Sequence, residues 1–432
     1  MATIATDSEL GRHLLTIRGF HFIFGAQRDP YALLLRAGNE DTAELGTQVR
    51  DRGRLSQSEA MASVTATHAV AAEALNHPLL GLRHVGEPGE QQQHVFQDVW
   101  SDPKVCHVLP LDEAFLNMER QDYARLTGLA ENVLGTDALE ARGAAAERIF
   151  TAALGKPAGG FDLMVDFARG AVVEQVCDVL GVPEGKRADV ARLSPVLGIA
   201  LDAGLCPPQL RTARRLIAAV EELRDLFTGV IEARRSSPGD DAISAMLEAA
   251  GDGATAVDDV LGVCVLTTVA GVEVTANLIC DTVLALLENS PQWRMLCDDP
   301  AALAGPAVEE GLRYAPPIRL ENRLAQEALD LAGERIEADA QLVVLVDAAN
   351  RDPEVFTDPD RFDVTRDPGS ANLALTGGLY GEFVAPFART QAAAALRVLA
   401  KGVPGLTPAE AVLRRMRSPV VRGVLRLPVT TR

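Results

Sequence analysis

Residues Asn372 to Arg389 read NLALTGGLYGEFVAPFAR, and the reading of this run decides the fold. Its end, Ala385-Pro386-Phe387-Ala388-Arg389, leads into TQAAAALRVLA, which predicts a helix starting near Ala385. Pro386 suits a first helical turn, where its missing N–H has no partner to lose. Alanine, leucine, arginine and glutamine then carry the helix onward. The half before Ala385 reads as a loop.

Working outward, the chain is 432 residues long, a size that by itself suits two or three domains. No break is long enough to be a linker and no internal repeat is visible, so the expectation is one mostly α-helical domain over residues 1–432 with small β parts. Hydrophobic residues at 47% and charged residues at 23% fit a globular chain with a large core. The net charge of −19 repels phosphate backbones, which sets nucleic acid aside as a partner. The N-terminus, MATIATDSEL, has neither a basic nor an apolar signal region, so the expected compartment is the cytoplasm. The most apolar long stretch, Val260 to Leu287, is interrupted by Glu273 and Asp281 and reads as a buried helix, not a membrane span. Cys106, Cys177, Cys206, Cys264, Cys280 and Cys297 are scattered without a CxxC pair and read as buried, reduced thiols. All histidines lie at or before His107, with no HxxxH or HExxH spacing, so no metal site is expected.

Along the chain, Ser8 can cap a short helix with Leu10, Leu14 and Ile17 on one face and Gly19 as its stop. The aromatic run FHFIFG (Phe20 to Gly25) follows. It is either docked on the protein's own core or offered as an apolar surface to another protein. GEPGEQQQ (Gly86 to Gln93) reads as a mobile loop. Asp162 to Leu180 is an amphipathic helix, and Pro207 to Arg235 gives one or two more. An apolar helix from about Val257 to Asn289 is the longest and should cross the core. Strand-like pieces are few: Leu342 to Val346, and Val420 to Pro428.

In AVEEGLRYAPPIR (Ala307 to Arg319), Glu310 and Arg313 stand three apart and share a helix face. The sheet-and-loop segment NRLAQEALDLAGERIEADAQLVVLVDAANRDPEVFTDPDRFDV follows. With the helix start at Ala385, this order resembles the cytochrome P-450 monooxygenases over most of Asp162 to Pro428. The resemblance implies a mainly α fold with small sheets, and a buried structural triad of Glu310, Arg313 and Arg361. The family's loop before the last helix reads Phe-Gly-x-Gly-x-His-x-Cys-x-Gly, and those positions are Leu375, Thr376, Gly378, Tyr380, Glu382 and Val384 here. The iron-ligating cysteine is thus replaced by Glu382. A thiolate donates electron density to iron and drives O–O cleavage. A carboxylate is a harder, weaker donor, and the longer glutamate would overshoot the metal from the same Cα. Val384 places a β-branched side chain where the family's glycine lets backbone pass near the cofactor.

Two further family positions have also changed. Ala270-Gly271-Val272-Glu273-Val274-Thr275 resembles the family's oxygen-activating turn, with Val274 where its threonine hydroxyl belongs. Tyr123 and Thr127 fall where a histidine and an arginine grip a haem propionate, while Arg323, a later propionate partner, is kept. Haem is therefore not expected. This combination resembles the cysteine-less P-450 homologues that serve as auxiliary proteins to macrolide and anthracycline glycosyltransferases, among them the desosaminyltransferase activator of erythromycin biosynthesis. LGRHLLTIRGFHFIFGAQRDPYALLL, AANRDPEVF and RRMRSPVVRG also look like that subgroup. It implies a protein without catalysis of its own that binds, stabilises and activates a nucleotide-deoxysugar glycosyltransferase, as a heterotetramer with it; a homodimer is the other assembly considered. The interface candidates are Leu14, Ile17, Phe20, Phe22 and Phe24. The alternatives are an enzyme, with haem on an unusual ligand or haem-free through Glu273, and an aglycone-binding protein.

Overall fold

The computed structural model describes residues 6–38, 40–83, 109–156, 159–251, 253, 255–367 and 371–431. The run Gly86 to Gln93, Cys106, and the side chain of Glu382 lie outside the described residues. At the centre stands the helix Ala256–Glu288, apolar on every side and buried throughout its most hydrophobic window. It has the length and composition of a membrane span, yet its most apolar stretch is buried inside the fold. Asp258 and Asp259 favour its N-terminal end, where backbone N–H groups carry partial positive charge. One turn, Thr267–Gly271, widens to π-helical spacing. The cause is local: Thr267 and Thr268 donate their hydroxyls to the carbonyls of Val263 (2.7 Å) and Cys264 (2.8 Å), one turn back, and compete with the backbone ladder.

Two helices lie directly on this one, Pro300–Tyr314 and Ala385–Gly402. The second starts where the sequence places it, with Pro386 in its first turn. The helix expected over Asp162 to Leu180 begins as a strand, Gly160–Asp162. Asp162 then caps a π-helical turn, Leu163–Ala168, before the α-helix Arg169–Leu180. The stretch from Pro207 gives one helix, Leu210–Ser236.

The main sheet has five short strands in the order Ser56–Gln57, Ser63–Thr65, Gln341–Leu345, Leu320–Ala325, Leu80–Gly81. Only the pairing of Ser63–Thr65 with Gln341–Leu345 is parallel. Gln341–Leu345 carries the strand expected near Leu342 to Val346. Ser56–Gln57, Ser63–Thr65 and Leu80–Gly81 escape a sequence reading because runs of two or three residues hold no usable alternation.

Two expectations are corrected. The N-terminal helix runs Asp7–Ala26, capped by Thr6 in a reciprocal box with Glu9, so neither Ser8 nor Gly19 bounds it. A mid-helix glycine costs only about 1 kcal/mol, and Phe20 and Phe24 stack across the following turn with ring centroids 6.0 Å apart. Second, Val420 to Pro428 is not one strand. Val420 and Val421 give their N–H groups to the Asp202 carboxylate (2.9 and 3.2 Å). The chain therefore turns, with Arg422 at φ 52°, before the strands Val424–Arg426 and Pro428–Thr431.

Candidate functional site

Glu310 and Arg313 lie one turn apart on Pro300–Tyr314, and neither side chain reaches solvent. Arg313 donates Nε and Nη2 to the two Glu310 oxygens, both at 2.8 Å. Its remaining N–H groups reach the carbonyls of Asn350 (3.1 Å), Pro359 (2.7 Å) and Arg361 (3.1 Å). Arg361 therefore enters this cluster through its backbone alone: its side chain is 64% exposed and stands 3.5 Å from Asp363. The third member of the triad is Arg366, whose Nε lies 3.4 Å from Glu310. Arg366 also binds the carbonyls of Thr357 (2.7 Å), Asp358 (3.1 Å) and Arg361 (3.1 Å). Both arginines follow the helix at comparable distance along the chain, and only the winding of the loop decides which one turns in.

Before the last helix, the loop passes through left-handed backbone at Leu375, Gly377 and Gly378 (φ 53°, 69° and 54°). At Gly377 a Cβ would stand 2.7 Å from the Leu75 carbonyl oxygen, so the glycine is required by close approach as well as by φ. Residues Leu379–Val384 form a π-helical turn running straight into Ala385, which puts the backbone of Glu382 at the head of the last helix. The helix Arg120–Leu134 packs on that turn. From it, Tyr123 is buried, donating its hydroxyl to the Phe115 carbonyl (3.1 Å) and accepting from the Met118 N–H (3.3 Å). Thr127 carries a buried hydroxyl with no hydrogen-bond partner among the described residues. Arg323, on the sheet, donates to Glu321 (2.8 Å) and to the Asn322 carbonyl (2.9 Å). Glu321 is wholly buried; burial pushes its pKa up, against the pull of Arg323. Tyr380 is raised too, by burial first and then by the Glu321 charge.

On the central helix Val274 is fully buried, and Glu273 is 1% exposed. Arg169 and Arg415 each hold one Glu273 oxygen at 2.8 Å, and Asn277 donates to it at 3.1 Å. Burial alone would raise this carboxyl, but the two guanidinium groups outweigh it and hold its pKa at about 2. Gly198 closes the remaining side: a Cβ there would fall 2.2 Å from the carboxylate. The C-terminal run RRMRSPVVRG is fastened along this line. Arg414 reaches Asp281 (2.7 Å), Ser418 donates to Asp202 (2.6 Å), and the Val424 N–H donates to Asn277 (2.7 Å). Glu273 thus ties down the C-terminal segment, with neither oxygen free to take a proton from a substrate.

The family model described as Cytochrome P450 matches residues 303–366. The chain is 33% identical over 443 residues to the cytochrome P450 family protein EryCII of Saccharopolyspora erythraea, covering 99% of each. The chain belongs to the cytochrome P450 family. It is also 50% identical over 434 residues to the protein AknT of Streptomyces galilaeus, covering 99% of this chain and 96% of that one. Among solved structures it is similar to ligand-free CYP164A2 of Mycobacterium smegmatis. That match has a TM-score of 0.78 and 26% identity over 93% of this chain and 99% of the other.

As a P450, the chain keeps the Glu310–Arg313 scaffold but not a donor set that fits haem. Position 382 offers no thiolate. Tyr123 spends its hydroxyl on backbone, Val274 has no hydroxyl, and the Arg323 charge is already matched by Glu321. Glu321 supplies from inside the protein the carboxylate that a propionate would bring. No reaction step is derived through the group. Among the described residues no cluster of histidine, cysteine or carboxylate side chains could hold a metal ion. The Glu321–Arg323 pair gives a first prediction. Arg323→Met is expected to lower stability by about 3–5 kcal/mol, because it strands a buried carboxylate. Adding Glu321→Leu should recover most of that loss. Urea unfolding of the four proteins in the cycle measures it, and a double variant no more stable than Arg323→Met would refute the pairing.

The five interface candidates do not share one face. Leu14 is 1% exposed and belongs to the core, a correction to its place in the set. Ile17, Phe20 and Phe24 are half-buried, while Phe22 is 62% exposed. Leu15 (69%) and Ile23 (51%) were missed. Ending the helix at Gly19 hid them; carried to Ala26, its periodicity puts Leu15, Phe22 and Ile23 together.

Proposed function

We propose that this protein is a non-catalytic auxiliary subunit that binds, stabilises and activates a nucleotide-deoxysugar glycosyltransferase of polyketide antibiotic biosynthesis, working in the cytoplasm without haem. The observation that carries the reading is an intact P450 scaffold around a site whose metal ligand, proton relay and propionate partner are all changed or spent. The buried Glu310–Arg313–Arg366 cluster keeps the body folded. Glu382 stands at the ligand position and Arg323 is already paired. The near full-length likeness to AknT and EryCII, with the subgroup's N-terminal and C-terminal runs, supports the same reading. The haem-free enzyme loses its best candidate base, since both Glu273 oxygens are held by arginines.

A partner that binds only the folded, active transferase raises that state's population by mass action. At a free concentration one hundred times its Kd it stabilises the transferase by about 2.7 kcal/mol. The test is to express a nucleotide-deoxysugar glycosyltransferase from the same organism with and without this protein. Co-expression is expected to raise soluble yield and turnover, to give a complex on gel filtration, and to yield protein without a Soret band even from haem-supplemented cells. Equal yield and turnover in both arms would refute the auxiliary role. A red protein that oxidises a substrate alone would establish the enzyme instead.

A further inference from the structure

The N-terminal helix Asp7–Ala26 is apolar on two opposite sides. One side, with Leu10, Leu14, His21 and Gly25, is buried. On the other, Leu15, Gly19, Phe22, Ile23 and Ala26 recur at the spacing of one helix face. Leu15 is 69%, Phe22 62% and Ile23 51% exposed, and nothing lies within 4 Å of where a Cβ on Gly19 would sit. Burying such side chains removes apolar surface from water, and the fold leaves that gain unused along this face. Contiguous exposure of this kind marks an interaction face.

The rim of this face is basic although the chain carries a net charge of −19. The Arg36 guanidinium lies over the Phe22 ring at 5.0 Å. Arg18, on the helix between the buried and the open side, has a buried Nε with no hydrogen-bond partner among the described residues. Arg417, from the C-terminal run, is near enough for its charge to weigh on both Arg18 and His21. Next to Arg417 in the chain, Met416 is 71% exposed. A second copy of this protein is a poor occupant. A two-fold interface sets the same patch against itself, which would bring these arginines against their own kind.

We propose that this face is where the glycosyltransferase docks, and that the matching surface is an apolar groove rimmed by carboxylates; the assignment rests on the auxiliary role above. The apolar stripe supplies the desolvated centre, and Arg18, Arg36 and Arg417 supply orientation and a fast, salt-sensitive encounter.

The test uses the full-length protein and the transferase, with affinity measured by calorimetry at low and high salt. Phe22→Ser/Ile23→Ser is expected to weaken binding by at least about tenfold, the effect of losing a central apolar anchor. Gly19→Arg enters open space and improves helix propensity, so it should fold at least as well as wild type. It is nevertheless expected to block docking. Arg18→Glu relieves the opposition from Arg417 in the free protein, yet should weaken binding and flatten its salt dependence. Met61→Ser, at a side chain 73% exposed elsewhere, is the control expected to bind normally. Wild-type binding that survives all three helix variants overturns the surface and leaves the auxiliary role standing. No binding by wild type overturns both. Dimerisation or sedimentation with anionic phosphatidylserine vesicles that these variants abolish, with transferase binding unchanged, assigns the face to another occupant and overturns the proposal.

Discussion

Arg313→Ala is expected to destabilise the protein by roughly 3–5 kcal/mol, the range for removing one partner of a buried ion pair. With native stability of only about 5–15 kcal/mol to draw on, much of the variant should accumulate as aggregate at 37 °C. The size of the effect follows from what remains behind. Glu310 would keep a buried carboxylate facing only the Asp363 N–H (2.9 Å) and Arg366 (3.4 Å). The carbonyls of Asn350 and Pro359 would also lose their Arg313 donor. The discriminating comparison is between the two loop arginines. Arg361→Ala should change stability by no more than about 0.5 kcal/mol, as surface substitutions do. Arg366→Ala should cost about 1–3 kcal/mol, because it takes a second cation from the buried Glu310 carboxylate. Urea midpoints give both numbers; an Arg361→Ala effect equal to that of Arg366→Ala would refute the assignment of the triad.

Glu273→Gln is expected to cost a similar amount, roughly 3–5 kcal/mol at neutral pH, since Arg169 would lose its buried counter-charge and Arg415 would keep only Asp202, 3.7 Å away. Its pH dependence separates it from an ordinary packing loss. The Glu273 carboxyl is held at about 2, well below its usual 4.5, so its stabilisation is complete above pH 4.5 and is lost as pH falls toward 2. The stability gap between wild type and Glu273→Gln should therefore narrow steadily below pH 4.5. Asp202 acts with the opposite sign. Burial raises it from 3.8 to about 6, against the pull of Arg415 and the hydrogen bond from Ser418. Its ionisation costs stability above pH 6, and that cost disappears as pH falls from 6 to 3.8. In Asp202→Asn this gain on mild acidification should be absent. A gap between wild type and Glu273→Gln that stays constant from pH 7 to 3 would refute the ionic clasp.

The sequence carried the chemistry that is missing and the elements that hold the body together. Composition and periodicity located the central helix, because a helix buried on all sides must be apolar on all sides. Pro386 marked the start of the last helix, since proline fits a first turn and few helical positions elsewhere. Glu382 and Val274 needed no coordinates at all: a residue type that cannot donate a thiolate or a hydroxyl cannot do so in any fold. Whether Glu310 and Arg313 were buried together was a matter of context, and their spacing on one helix face already permitted it.

What tertiary structure decided was where charged and apolar side chains spend themselves. One dimension leaves Arg361 and Arg366 equally placed, and only the loop's path turns Arg366 toward Glu310. Glu321 and Arg323 stand two apart on a strand, which puts them on the same face, but nothing in the letters says that face is buried. Glu273 read as a residual acid until Arg169 and Arg415, distant in sequence, closed on it. Leu14 and Leu15 are neighbours in sequence and the same residue type, yet one is core and the other surface. The helix turns each residue by about 100° from the last, and the identity of what packs against each side is a property of the folded chain alone.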